Sequence, residues 1–172
     1  TIFVLVFFIH MIYPYFAIKS NYASLEKYKG LSTGWDFIKQ KYPDNYRAIQ
    51  WLNDNIDGQP VMVEAVGDSY TDFNQVSVAT GLPTVEGWIV HEWLWRGGYD
   101  KPSSRKEDVK SIYQSQDLRQ LKQLLQKYSV KYIFVGDKEY EAYPDLDTKR
   151  FEQVGARLVA SFGNTDIFRV DF

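Results

Sequence analysis

The stretch from Gly81 to Asp100, GLPTVEGWIVHEWLWRGGYD, concentrates the side chains best suited to chemistry. It holds three of the chain's five tryptophans and one of its two histidines, with Glu86, Glu92 and Arg96 between them. Aromatic faces beside carboxylates and an arginine suit sugar binding. The rings stack on the sugar's C–H faces while the charged groups donate and accept hydrogen bonds. Arg96 or Arg105 could instead pair with a phosphate, which the planar guanidinium grips at two points. His91 with Glu92 and Glu64 is a candidate carboxylate-dominated metal set; a hydrogen-bonded structural histidine is the plain alternative. The same three residues could serve a hydrolase, since paired carboxylates cleave glycosides as acid and base. Against all of these stands a buried plug, with tryptophans filling the core and Arg96 pairing internally with Glu92 or Glu64.

Other chemistries are excluded by what is absent. VGDSYTD lacks the glycine spacing of a dinucleotide fingerprint, and Trp95 stands where a second zinc-binding histidine would be needed after HE. There is no nucleophile elbow. With no cysteine, disulfide staples, thiolate catalysis and cysteine-ligated zinc are ruled out. A net charge of −2 gives no footprint for nucleic acid. The 172 residues, 45% hydrophobic and 17% aromatic, are enough for one domain with a real core plus an appendage.

The elements that must position these residues alternate between helix and strand. PDNYRAIQWLNDNI puts Ala48, Ile49, Trp51 and Leu52 on one helical face, with Asp44 as its expected N-cap. PVMVEAVG reads as a first strand and LPTVEGW as a short second one; TDFNQVSVAT fits helix or strand. Two helices follow from Ser103, the second with apolar Leu118, Leu121, Leu124 and Leu125 at helical spacing. VKYIFVG is nearly all apolar, as a strand covered on both faces must be. LDTKRFEQV is a last helix, and ARLVASFGNTDIFRVDF is a hairpin turning at Gly163-Asn164. This order predicts an α/β fold: a three-layer, mostly parallel sheet flanked by helices, closed by a C-terminal antiparallel hairpin. Ligands in such folds bind beyond the carboxyl ends of strands. Glu64 ends the first strand and Glu86, Gly87 and Trp88 follow the second. Trp88, His91, Glu92 and Arg96 are therefore expected to gather toward Glu64, Tyr70 and Arg105, with Trp95 nearby and Trp93 and Leu94 packing inward.

Residues 1–18 carry no formal charge. Eighteen helical residues span about 27 Å, close to the hydrocarbon thickness of a bilayer. Tyr13, Tyr15 and Phe16 resemble an interfacial belt. A signal peptide lacks support here, because a basic leader and a small-residue cleavage site are missing; a buried core helix is the other alternative. The segment is read as the end of a transmembrane helix of a larger protein, followed by a juxtamembrane linker at 19–41 and a soluble α/β domain at 42–172. The linker holds five lysines against Glu26 and Asp36, which on its own leans cytoplasmic, whereas residues 42–172 hold 15 basic and 20 acidic residues.

Residues 45–145 resemble the C-terminal region of the YYY family of bacterial and archaeal polytopic membrane proteins. That family is similar to the C-type integral-membrane glycosyltransferases. The resemblance rests on Glu64, Ala65, Gly67 and Tyr70; on Thr80 to Thr84; and on Gly87, Trp88, His91, Glu92, Trp95 and Arg96. Arg105, Asp108, Val109, Ile112 and Tyr113 follow, and then KYIFVGDKEYEAY. Gln75 and Tyr140 stand where the family usually has arginine. The resemblance implies an extracytoplasmic tail of a membrane glycosyltransferase-like protein, partnered by the transmembrane portion and by a lipid-linked sugar or glycan acceptor. It also implies a polyprenyl-phosphate-linked sugar as the whole protein's donor, no cofactor in this fragment, and a catalytic acid in a loop outside this sequence. A structural domain capping the membrane portion is the competing reading.

Overall fold

The computed structural model describes residues 2–22, 30 and 33–172. The chain divides into two compact units, residues 1–33 and Gly34–Phe172. Part of the expected linker, residues 23–29 and 31–32 with Glu26, Lys27 and Lys29, lies outside the described residues.

In the first unit, helix α1 spans Ile2–Tyr22 and buries none of its side chains. It is the one described helix long and apolar enough to cross a membrane, with a mean hydropathy of 1.9. His10, its only imidazole, donates through Nδ1 to the Val6 carbonyl at 2.8 Å, so its ring is partly satisfied within the helix. Pro14 sits inside the helix and removes one backbone donor, which lipid-spanning helices tolerate.

The second unit runs α2 (Gly34–Lys41), α3 (Pro43–Asn55), β1 (Val61–Val63), α4 (Gln75–Thr80), α5 (Ile89–Arg96), α6 (Asp100–Gln114) and α7 (Leu118–Lys127). It continues through β2 (Val130–Val135), α8 (Asp137–Ala142), α9 (Lys149–Gln153), β3 (Ala156–Phe162) and β4 (Thr165–Val170). The four strands form one sheet in the order β1-β2-β4-β3. Helices cover both faces, so the expected α/β layering holds. Alternation along the strands separates two cores. Val63, Ile133, Val135, Phe168 and Val170 face Val109, Ile112 and Tyr113 of α6, Leu121, Leu124 and Leu125 of α7, and Phe151 of α9. Met62, Phe134 and Ile167 face Ala48, Ile49 and Leu52 of α3, with Val76 of α4 and Leu82.

Parallel pairing is confined to one side of the sheet. β1 and β2 run parallel, and Thr84 adds a single parallel bridge to Met62 in place of the expected second strand. On the other side β4 inserts beside β2, so β2–β4 and β4–β3 are both antiparallel. The hairpin docks by its second strand, with Ile133 opposite Phe168 and Phe134 opposite Ile167.

Local signals explain several elements. Asp117 caps α7, accepting from the Arg119 and Gln120 amides at 2.8 and 3.3 Å. Helix α3 starts at Pro43, the first-turn position that tolerates a missing donor. Asp44 does not cap it: Tyr42 holds the cap position, and the Asp44 carboxylate instead accepts from the Asn164 amide at 3.0 Å. That contact pins the hairpin turn to α3.

Candidate functional site

The chain leaves the sheet at Glu64 and returns at Thr84, and this excursion builds the candidate site. Glu64 is buried. Its two oxygens accept from the Val76 and Ser77 amides at 2.9 and 3.1 Å, holding the first turn of α4 against the end of β1. Burial pushes its pKa up, and these hydrogen bonds oppose that rise. Glu64 therefore works inside the protein and presents no oxygen to a ligand. Glu139 at the start of α8 does a matching task, accepting from the Ala65 and Gly136 amides at 2.7 and 2.8 Å. Burial raises its pKa to about 7.

Beyond Glu64 the backbone passes through two left-handed residues, Tyr70 and Asn74, each at φ 61°. Tyr70 projects outward with 85% of its surface exposed. Three rings meet there as expected: Tyr70 lies 5.7 Å from Trp88 and 5.1 Å from His91, and Trp88 lies 5.4 Å from His91. The cluster is anchored at two points. Trp88 donates its indole N–H to the Phe73 carbonyl at 3.1 Å, and His91 Nδ1 sits 2.9 Å from Ser69 Oγ.

Trp88 also lines a cleft of about 450 Å³, within the range of small-molecule sites. Trp35 and Phe37 of α2 and Phe73 complete its aromatic walls, with Asp72, Asn74 and Gln75 as polar lining. Helix α2 is held to α3 through edge-on ring contacts of Trp35 with Tyr46 and Phe37 with Tyr42. Asp72 is fixed by Lys41 and by the Tyr42 hydroxyl at 2.8 Å, and the Lys41 hydrogen bond holds its pKa below the usual carboxylate range. Gln75 accepts at Oε1 from Asn45 at 3.2 Å. Its buried Nε2, like Oδ1 of Asn74, makes no hydrogen bond among the described residues. Trp35 and Phe37 escaped sequence reasoning because residues up to 41 were read as linker, where the run Gly-Trp-Asp-Phe at 34–37 was the available signal; Asp72 and Phe73 escaped it because TDFNQVSVAT fitted helix or strand alike.

The charged residues of α5 and α6 do not join this group. Glu92 pairs with Arg96 one turn along α5 at the surface. Arg105 Nη1 lies 3.9 Å from Glu86 and 3.5 Å from the Val85 carbonyl, so it reaches Glu86 and not Glu64. Glu86 is 1% exposed, and neither carboxylate oxygen finds a hydrogen bond among the described residues. Burial, reinforced by the Glu92 charge and opposed by Arg105 and Arg96, raises its pKa to about 7. The inward packing expected of Trp93 and Leu94 is overturned: they are 44% and 66% exposed, and Trp95 is 86% exposed. Ile89 is the residue of α5 that packs inward. Among the described residues no three His, Asp or Glu side chains converge as metal ligands, so the expected His91, Glu92 and Glu64 set does not form. Of the carboxylates in the hydrolase reading, Glu64 is taken up by backbone amides and Glu92 pairs with Arg96.

Among solved structures, the chain is similar to the C-terminal globular domain of an oligosaccharyltransferase from Archaeoglobus fulgidus. The TM-score is 0.48 and the identity 14%, over 74% of this chain and 97% of that domain. No protein-family model matches the chain, and no curated protein is similar to it.

Proposed function

We propose that this chain is the extracytoplasmic C-terminal domain of a membrane glycosyltransferase-like protein, and that its aromatic cleft holds the sugar of a polyprenyl-phosphate-linked donor or of a glycan acceptor. The observation that carries this reading is the cleft between α2, the 71–74 loop and α4. Trp35 and Trp88 offer faces for stacking, and Asp72, Asn74 and Gln75 supply the polar lining. The resemblance of residues 45–145 to the YYY family and the apolar α1 support a membrane setting. Gln75, neutral where that family usually has arginine, favours hydroxyl recognition over phosphate pairing in this cleft. In this reading the domain positions a substrate and the catalytic acid belongs to the membrane portion; the buried carboxylates Glu64 and Glu139 are committed to backbone amides.

The full chain in detergent micelles, titrated with an oligosaccharide and separately with a polyprenyl-phosphate sugar, tests the reading. Trp35→Ala and Trp88→Ala are each expected to weaken binding roughly tenfold, the scale of losing an aromatic contact in a desolvated pocket. Glu92→Gln is expected to leave stability within about 0.5 kcal/mol, because its pair with Arg96 is a surface helix pair. Absence of binding to either ligand, or binding that both tryptophan variants keep, would defeat the proposal and leave the structural cap.

A further inference from the structure

The outward side of α5 is unusual for a short helix on a soluble surface. Val90 and Leu94 lie one turn apart on it and are exposed, with Trp95 beside them and Trp93 only half-covered. Trp93 extends the patch by an edge-on contact with exposed Tyr99, 5.8 Å between ring centres. At the other end Tyr70 stands out beyond His91. Contiguous exposed apolar surface of this kind marks a protein or membrane contact.

We infer that this face of α5, with the start of α6, rests in the headgroup layer of a lipid bilayer. Three features favour lipid over a protein partner. Tryptophan and tyrosine dominate the patch, and these amphipathic rings partition to membrane interfaces. The flanking charge supplies lysines: residues 92–108 set Arg96, Lys101, Arg105 and Lys106 against Glu92, Asp100, Glu107 and Asp108. Arg96 and Arg105 answer Glu92 and Glu86, while Lys101 and Lys106 pair with no carboxylate among the described residues. Unpaired lysines beside an apolar face complement anionic lipid phosphates. The third feature is the tether. Eleven residues, 23–33, join α1 to Gly34, and an extended chain of that length reaches at most about 40 Å. A membrane crossed by α1 is therefore within reach of the globular unit. The inference rests on α1 crossing a membrane and is independent of what the cleft binds.

The full chain is free of cysteine, so one introduced thiol can carry a nitroxide label. Leu94→Cys samples the patch and leaves both tryptophans in place; Gln123→Cys, exposed on α7, is the control. Both are read in phosphatidylcholine vesicles containing phosphatidylglycerol. The label at Leu94 is expected to sit about 5–10 Å into the interface. It should collide with an aqueous nickel chelate roughly tenfold less often than the control label, as a headgroup-buried site should. Adding Trp95→Ala should restore much of that access, and Lys101→Glu with Lys106→Glu should do so most where phosphatidylglycerol is present. Equal nickel access at both labels would overturn the inference. Spin–spin broadening at Leu94 that grows with protein density would also overturn it, by making a second copy the occupant. Sugar binding by the cleft is scored separately, so either idea can fail without the other.

Discussion

Glu64 follows β1 and clamps the first turn of α4 from twelve and thirteen residues away: its carboxylate spans the amides of Val76 and Ser77 at 2.9 and 3.1 Å. The carboxylate expected to meet a ligand at a strand end is thus the clamp that fixes the excursion carrying Tyr70, Phe73 and Gln75. Glu64→Gln keeps the shape but turns a donor toward one of two buried donors. Leaving a buried amide unpaired costs about 1–3 kcal/mol, and thermal unfolding should show a loss of that size. A variant as stable as the parent would remove Glu64 from the framework.

Gly67 lies close against Phe73, where a Cβ would come within 2.2 Å of the ring. The Phe73 carbonyl in turn accepts the Trp88 indole N–H. Gly67→Ala must therefore displace the ring that walls the cleft and loosen the anchor of Trp88. Overpacking of this kind costs about 1–3 kcal/mol, and the sugar affinity of the cleft should fall with it. Unchanged denaturation and binding curves would show that the loop has room to spare.

Arg150 is buried without a carboxylate partner. Its guanidinium donates to the carbonyls of Tyr113 and Ser115 at the end of α6 and to that of Asp147 at 3.2 Å. It acts as a charged C-cap, satisfying carbonyls that the helix leaves open. Burial lowers its pKa. Arg150→Met keeps the apolar stem but strands those carbonyls, and a loss of about 3 kcal/mol in urea denaturation is expected. Arg150→Lys, which cannot reach all three acceptors, should recover part of it; full recovery would mean that charge alone matters.

What the sequence disclosed follows from which contacts are local. β2 announced itself because both of its faces are covered, and α7 because its leucines repeat at helical spacing. The Tyr70–Trp88–His91 cluster was legible because all three residues sit just past strand-like runs. The other half of the cleft was not, since Trp35 reaches Trp88 and Gln75 only through the packing of α2 on α3. Helix α5 misled for a related reason. Its tryptophans carry the largest apolar surfaces, which reads as core, yet one smaller residue, Ile89, makes its inward contact. Arg150 gave no signal in the sequence, because two of its three acceptors lie 35 and 37 positions away.

Glu86 gives the fold a pH dependence of definite sign. Burial raises its pKa from the ordinary 4.5 to about 7, with the Glu92 charge adding to the rise. The folded state therefore holds this proton more tightly than the unfolded chain does. The associated stability is fully present below about pH 4.5, is lost as the pH climbs toward 7, and changes little above that. A shift of this size corresponds to roughly 3 kcal/mol. Glu139, raised to about 7 mainly by its own burial, acts in the same direction. Urea denaturation of the full chain in micelles should show lower stability at pH 8 than at pH 5. Glu86→Gln removes the titrating group and changes little else in shape, since the carboxylate makes no hydrogen bond among the described residues. It should flatten the fall by up to about 3 kcal/mol and leave the Glu139 share in place. Coincident pH profiles for parent and variant would show that Glu86 does not titrate in this window, and that Arg105, 3.9 Å away, holds it ionised throughout.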